Sequence, residues 1–303
     1  MNGRVPAASR TASIRQRLLD RARARGEEFQ LVLDRFAVER LLYRLSVSPH
    51  RDQFLLKGAL LFALWFDAPH RPTRDADLLG FGSADGERLH AVIAELCAID
   101  SDDGLRFELG SIQIEPIREE AAYEGLRARL VAYLGGARCH VQWDVGFGDA
   151  VTPGPQDMDC PVMLDEFPPP RLRVYPRETV FAEKLEAIAT LGIANSRMKD
   201  YFDLLALMRE QAMAPATLAD AIRATFQRRG TAPPEGVPFG LTDAFASDAQ
   251  KQSQWAAFQR RNRLAAPALA AVVAELRAFF IALDPWAGDR HPAHGQPQPQ
   301  QTP

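Results

Sequence analysis

Apolar positions along the chain recur first with a helical period and later with a strand period. In residues 29–45, Phe29, Val32, Leu33, Phe36, Val38, Leu41, Leu42 and Leu45 return every three or four positions, which predicts a helix with one face on a core. A more polar helix is predicted before it over 12–25, with Gly26 separating the two. Residues 87–99 predict another helix. From 105 the period falls to two. Residues 105–109 and 111–117 alternate around Gly110, and Val141, Trp143 and Val145 alternate with His140, Gln142 and Asp144. The segment 119–134 is ambiguous by period. Its later part reads as a strand, because Gly135-Gly136 makes a hairpin turn into the alternating segment RCHVQWDVGFG. Residues 150–170 hold six prolines and predict a long connection and a domain boundary. Beyond 174 the texture is helical, with helices expected over 180–191, within 195–208, and over 216–229, 247–263 and 267–283.

The stretch 54–82, FLLKGALLFALWFDAPHRPTRDADLLGFG, organises the rest. A Lys57-Gly58-Ala59 step leads into the apolar run 60–66, read as part of a helix of about ten to fifteen residues. A polar turn over 67–74 then delivers Asp75-Ala76-Asp77 into an apolar segment, 78–81. Residues two apart on a strand point the same way, so Asp75 and Asp77 share a face. Two carboxylates held that close repel unless a cation lies between them. Magnesium is the hard cation that suits adjacent carboxylates and phosphate oxygens.

Composition narrows the class. The 303 residues are 47% hydrophobic and 25% charged, as expected for a globular protein of one large or two smaller domains. No apolar run is long enough to cross a bilayer, and no secretory signal is expected from the first residues. Cys97, Cys139 and Cys160 lack metal-ligand spacing and fit a reducing compartment, so a cytoplasmic protein is expected. His140 reads as an ordinary strand histidine. The net charge of -3 gives no global attraction to nucleic acid. RNA contact would fall to local patches, such as the arginines of 10–25 or Arg260, Arg261 and Arg263, which read equally as solvated helix faces. Of 36 basic residues only Lys57, Lys184, Lys199 and Lys251 are lysines. The first three lie in stretches with candidate chemistry, where an ammonium and a guanidinium are not interchangeable. Lys251 lies outside them and is expected to accept arginine without effect.

The Gly step, helix, turn and strand-borne Asp75-Ala76-Asp77 resemble the polymerase-beta-like nucleotidyltransferase superfamily. LLKGALLFALW followed by RPTRDADLLG resembles its AbiEii-type toxin branch, which includes the MenT-like toxins. Ala59 departs from the superfamily pattern, which has a second Gly or a Ser there whose hydroxyl touches the terminal phosphate. The fold implied is α/β (α+β). It has a helical segment over 1–48, a nucleotidyltransferase domain with a mixed β-sheet over 49–172, a helical C-terminal lobe over 173–285 and a disordered tail over 286–303, with the cleft between the lobes.

The resemblance makes Asp144 the third metal carboxylate beside Asp75 and Asp77. Strand alternation favours Asp144 over Asp149, which lies past Gly148 and stays as the competitor. Lys184, in an EKL segment, is implied to bind the nucleotide phosphates together with Lys57, Gly58 and Arg74. The match over MKDYFDL implies that Lys199 and Asp203 face the nucleotide or brace Lys184. From the residues alone, Lys184 is equally a snorkelling surface lysine and Asp200 a helix cap. The activity implied is Mg2+-dependent transfer (Mn2+ as the alternative) of a nucleotide from a nucleoside triphosphate to an acceptor such as a tRNA 3′ end. The agent would be a toxin held in check by a cognate antitoxin. Two readings of other classes stand beside it: a nucleotide-binding regulator without transfer activity, and a transferase acting on a small molecule.

Overall fold

The structure is a computed structural model and describes residues 7–66, 71–118, 124–210 and 213–287. The expectations for 1–6, for 67–70 of the 67–74 turn, for 119–123 and for the tail from 288 lie outside those residues. The chain divides into two compact units, Met1–Val180 with Gln259–Leu264, and Phe181–Phe258 with Ala265–Pro303.

The first unit opens with α1 (Ala7–Arg25) and α2 (Phe29–Ser46). Gly26 joins them at φ +63°, a left-handed conformation that glycine adopts without steric cost. Then come β1 (Phe54–Lys57), a 3-10 turn over Gly58–Leu61, and α3 (Phe62–Trp65). The longer helix expected here is therefore reduced to about two short turns. An apolar run of this length does not report its own period, and Pro69 and Pro72 bar a helix from continuing. β2 (Ala76–Gly80) and α4 (Gly86–Ala98) come next, and the Asp85 carboxylate caps α4 by accepting from the Glu87 and Arg88 N–H groups. β3 (Leu105–Arg118), β4 (Glu124–Leu134) and β5 (Ala137–Phe147) form a meander. Gly110 does not end a strand; it lies inside β3, where the register shifts between Glu108 and Gln113. The proline-rich connection also carries an edge strand, β6 (Gln156–Asp159), which pairs with β7 (Arg171–Val174).

These strands make one seven-stranded mixed sheet in the order β3-β4-β5-β2-β1-β7-β6. It confirms the mixed α/β class. β2 runs parallel to β5 and antiparallel to β1. Val141, Trp143 and Val145 of β5 are buried, and α2 packs against β5 and β7. Asp34 of α2 fixes this contact by accepting the His140 N–H at 2.8 Å. By the period of two, Gln142 and Asp144 point to the opposite face.

The helix signature of α2 hid one feature. Arg40 and Arg44 on its buried side are 0% and 2% exposed. Arg44 donates to both oxygens of buried Asp103, at 2.5 and 3.2 Å, and to the Ile99 carbonyl at 2.9 Å. Arg40 donates to the Pro168 carbonyl at 3.1 Å. The cluster ties α2 to the loop after α4 and to the loop before β7.

The second unit is helical. The division between the units falls inside α5 (Arg177–Leu191), after which come α6 (Met198–Glu210), α7 (Pro215–Arg228), α8 (Asp243–Ser247), α9 (Ala249–Asn262) and α10 (Leu269–Leu283). α10 packs against α6 and α8. Tyr201 donates its hydroxyl to the Gly240 carbonyl at 2.9 Å, stacked against Phe245.

Asp103 supplies the test of this frame. Burial alone would raise its pKa, but the Arg44 bonds outweigh burial and hold it below 3.8. A depressed carboxylate stabilises the fold above its unfolded pKa, and that contribution is lost as pH falls through the folded value. Asp103→Ala should cost about 3–5 kcal/mol at pH 7, because it leaves buried guanidinium charge uncompensated. In denaturant melts, the gap to wild type should narrow once the pH drops below 3.8.

Candidate active site

The parallel pairing of β2 with β5 places Asp77 directly beside Asp144. The antiparallel pairing of β1 with β2 places Lys57 on the other side of Asp77. Lys57, Asp77 and Asp144 thus form a row on the sheet face away from α2. Asp75 stands just before β2 and is half-buried. Burial, then the charges of Asp144 and Asp77, push its carboxyl above the ordinary aspartate range, while Arg127 and Arg74 pull the other way. Of the sequence candidates, the structure therefore brings Asp75, Asp77, Asp144, Lys57 and Gly58 together.

Gly58 is fixed by that row. It has φ +73°, and a Cβ built there would run into Oδ2, Cγ and Cβ of Asp77. The turn after β1 thus closes directly over the Asp77 carboxylate, which only glycine allows. Lys57 gives its ammonium to Asp149 Oδ2 at 2.7 Å and lies 5.5 Å from the Tyr175 ring centroid. Of the two rivals for third carboxylate, Asp149 accepts from Lys57 and Asp144 stands in register beside Asp77.

Sequence reasoning missed Arg127. It lies on β4 opposite Asp144 and donates from Nε to Oδ1 at 2.8 Å and from Nη2 to Oδ2 at 2.6 Å. This fork raises the Arg127 pKa, first through the Asp144 hydrogen bonds and further through the charges of Asp144 and Asp75. The signal was present, since Arg127 and Arg129 alternate with Leu126, Ala128 and Leu130, but the period of 119–134 was not decisive. Arg74 lies 3.4 Å from Glu28 and is largely exposed.

These donors were tested against a divalent cation. Asp75, Asp77 and Asp144 offer hard oxygen ligands, and the raised Asp75 carboxyl marks a place short of positive charge. Among the described residues, no group of three or more His, Cys, Asp or Glu side chains is already closed around one point. Both oxygens of Asp144 are held by Arg127. The donor chemistry fits magnesium, provided Arg127 yields Asp144.

In the second unit, Lys184 is neither a snorkelling surface lysine nor free. Its ammonium lies 2.8 Å from Asp200 Oδ1 and 2.8 Å from Asp203 Oδ2, and both aspartates are fully buried. Asp200 is therefore no simple cap. Its second oxygen accepts from Arg197 Nε at 2.7 Å. Burial would raise Asp200, but Lys184 and Arg197 together hold it below the ordinary range. Lys199 is exposed on the same helix. Lys251, expected to be an indifferent position, is 3% exposed and donates to the Asn195 carbonyl at 3.0 Å. A buried lysine held on a carbonyl is not the open surface position expected, and the larger planar guanidinium is not its equivalent there.

A mixed sheet with strand-borne aspartates beside a Gly turn defines a nucleotidyltransferase fold. A family model described as the nucleotidyl transferase AbiEii toxin of type IV toxin–antitoxin systems matches residues 40–283, and the chain belongs to that family. The crystal structure of JHP933 from Helicobacter pylori has a TM-score of 0.50 and 14% identity, covering 87% of this chain and 95% of that one. A second H. pylori structure, of a proposed nucleotidyltransferase, has a TM-score of 0.48 and 13% identity, covering 88% and 100%. No curated relative matches the sequence. No described helix is long and apolar enough to cross a membrane.

Two substitutions test these placements. A carboxyl whose folded pKa is raised costs stability once the pH exceeds its unfolded value. Asp75→Asn should therefore raise the melting temperature at pH 7 in EDTA, and the gain should vanish as the pH approaches 3.8, where wild type also carries the proton. Lys184→Met should lower stability by about 3–5 kcal/mol, since two buried aspartates lose their shared cation. Unchanged melting of the Lys184 variant would return that residue to the surface.

Proposed function

We propose that this toxin transfers a nucleotide from a nucleoside triphosphate to an RNA end, such as a tRNA 3′ end, with magnesium held by Asp75, Asp77 and Asp144, and that a cognate antitoxin restrains it. The observation that carries the reading is the row Lys57–Asp77–Asp144, closed by Gly58 without room for a side chain. When bound, magnesium supplies Lewis-acid stabilisation of the reacting phosphate and lowers the pKa of the acceptor hydroxyl. Gly58 leaves its backbone next to Asp77, where a phosphate oxygen can approach closely. Lys57 keeps a positive charge beside the carboxylates, anchored by Asp149. Arg127 holds Asp144 in place before a nucleotide arrives and would carry its charge to the phosphates after release. The acceptor hydroxyl gives its proton to solvent, its oxygen forms a bond to the α-phosphorus, the bond from that phosphorus to the α,β-bridging oxygen breaks, and pyrophosphate leaves.

The second reading, nucleotide binding without transfer, draws on the Arg127 fork, which as it stands occupies both Asp144 oxygens. One experiment separates the two. The purified protein is incubated with each labelled triphosphate, magnesium and total cellular RNA, and the label is followed. Label entering RNA is expected, with Asp77→Asn reducing it at least about a hundredfold, or about 2.7 kcal/mol in the transition state. Triphosphate binding with no labelled product favours the regulator. Label on a small molecule alone removes RNA as the acceptor.

A further inference from the structure

The sheet face opposite Asp77 holds a cavity with its own chemistry. Lys57 pairs with Asp77 along β1, so Leu56 points to the other side. There Leu56 joins Val38 and Leu42 of α2 in the floor of a cavity of about 240 Å³. All three are buried. The space equals roughly eight waters at about 30 Å³ each.

The rim is basic. Arg21 and Arg25 of α1, Arg35 of α2 and Arg74 all line the cavity. Carboxylates stand beside two of them, Glu27 at 3.0 Å from Arg35 and Glu28 at 3.4 Å from Arg74. Arg21 is placed differently. One of its nitrogens donates to the Met163 carbonyl at 3.0 Å, but its Nε is buried with no acceptor. Burial, then the charges of Arg25 and Arg35, lower its pKa, while the charges of Glu27 and Glu39 oppose the shift. Buried N–H donors are almost always paired, so this one asks for a partner. Glu39, also in the lining, is already engaged: one oxygen accepts the Met163 N–H at 2.7 Å and the other lies 3.3 Å from Arg40.

An apolar floor under convergent cationic groups is the composition of a small-molecule site. The geometry points to a binding site for a small organic anion, its carboxylate or phosphate head held by Arg21, Arg25 and Arg35 and its apolar body seated over Leu42 and Leu56. Guanidinium forks take either head through paired N–H bonds. The site lies on the other face of the sheet from Asp77 and does not depend on the proposed transfer.

The test uses the full chain and two probes with the same ring and different heads, benzoate and phenyl phosphate, titrated by calorimetry. Saturable binding of at least one is expected, and the tighter probe names the head. Benzyl alcohol has the body without the charge, and inorganic phosphate the charge without the body. Both should bind at least about tenfold more weakly, or about 1.4 kcal/mol. Arg21→Gln and Arg35→Gln should each weaken the better probe by at least the same factor. Ala63→Phe fills the cavity from an exposed lining position and should abolish binding while the circular dichroism spectrum stays that of wild type. Lys57→Ala should leave the affinity unchanged. The proposal is overturned if neither probe saturates, or if binding disappears in Lys57→Ala but survives in the Arg21 and Ala63 variants.

Discussion

Like charge at close quarters is the constraint around which the first unit is built. The register of β2 with β5 sets Asp77 beside Asp144, and Asp75 stands within reach of both charges. Such a group persists in a half-buried place only if cations answer it. The sheet provides them from its own strands. Lys57 on β1 flanks Asp77 and is anchored by Asp149, and Arg127 on β4 grips Asp144. Each cation is placed by strand pairing. At Asp75, burial and then the charges of Asp144 and Asp77 outweigh Arg127 and Arg74, so its carboxyl stays raised.

Much of this was legible in the sequence because it followed from periods. The alternation over 139–145 set Asp144 on the polar face, and the Gly135-Gly136 turn fixed the hairpin that carries it. The Gly58 step could be read as a turn, but its contact with Asp77 is a tertiary fact, made by two strands far enough apart in sequence that no local pattern reports it. The same holds for Arg127, whose meaning depends on its cross-strand partner. β6 was hidden by the prolines around it, because an edge strand tolerates what a central strand does not. The helix expected after Gly58 shrank because a short apolar run fits several conformations.

The two kinds of cation divide the buried work by shape. Arg44 meets one carboxylate, Asp103, with a planar fork that matches both oxygens. Lys184 meets two carboxylates at once, Asp200 and Asp203, which a compact ammonium with three donors does without a fixed plane. That answers why a chain so rich in arginine keeps lysine at particular places. Lys57, between a carboxylate and an aromatic ring, and Lys251, on a backbone carbonyl, follow the same logic.

Burying Lys57 and Lys184 in ion pairs and Lys251 on a carbonyl leaves the protein with a surface nearly bare of side-chain amines. Lys57, Lys184 and Lys251 keep only 18%, 11% and 3% of their exposure, while Lys199 stands in the open. Any chemistry that reaches proteins through amines, whether acylation, a cross-linking reagent or the attachment of a degradation tag, would find Lys199 first and little else among the side chains. The positive charge on the outside is almost wholly guanidinium, which such reagents do not attack at neutral pH. A protein clothed this way offers lysine modification a single well-exposed side chain.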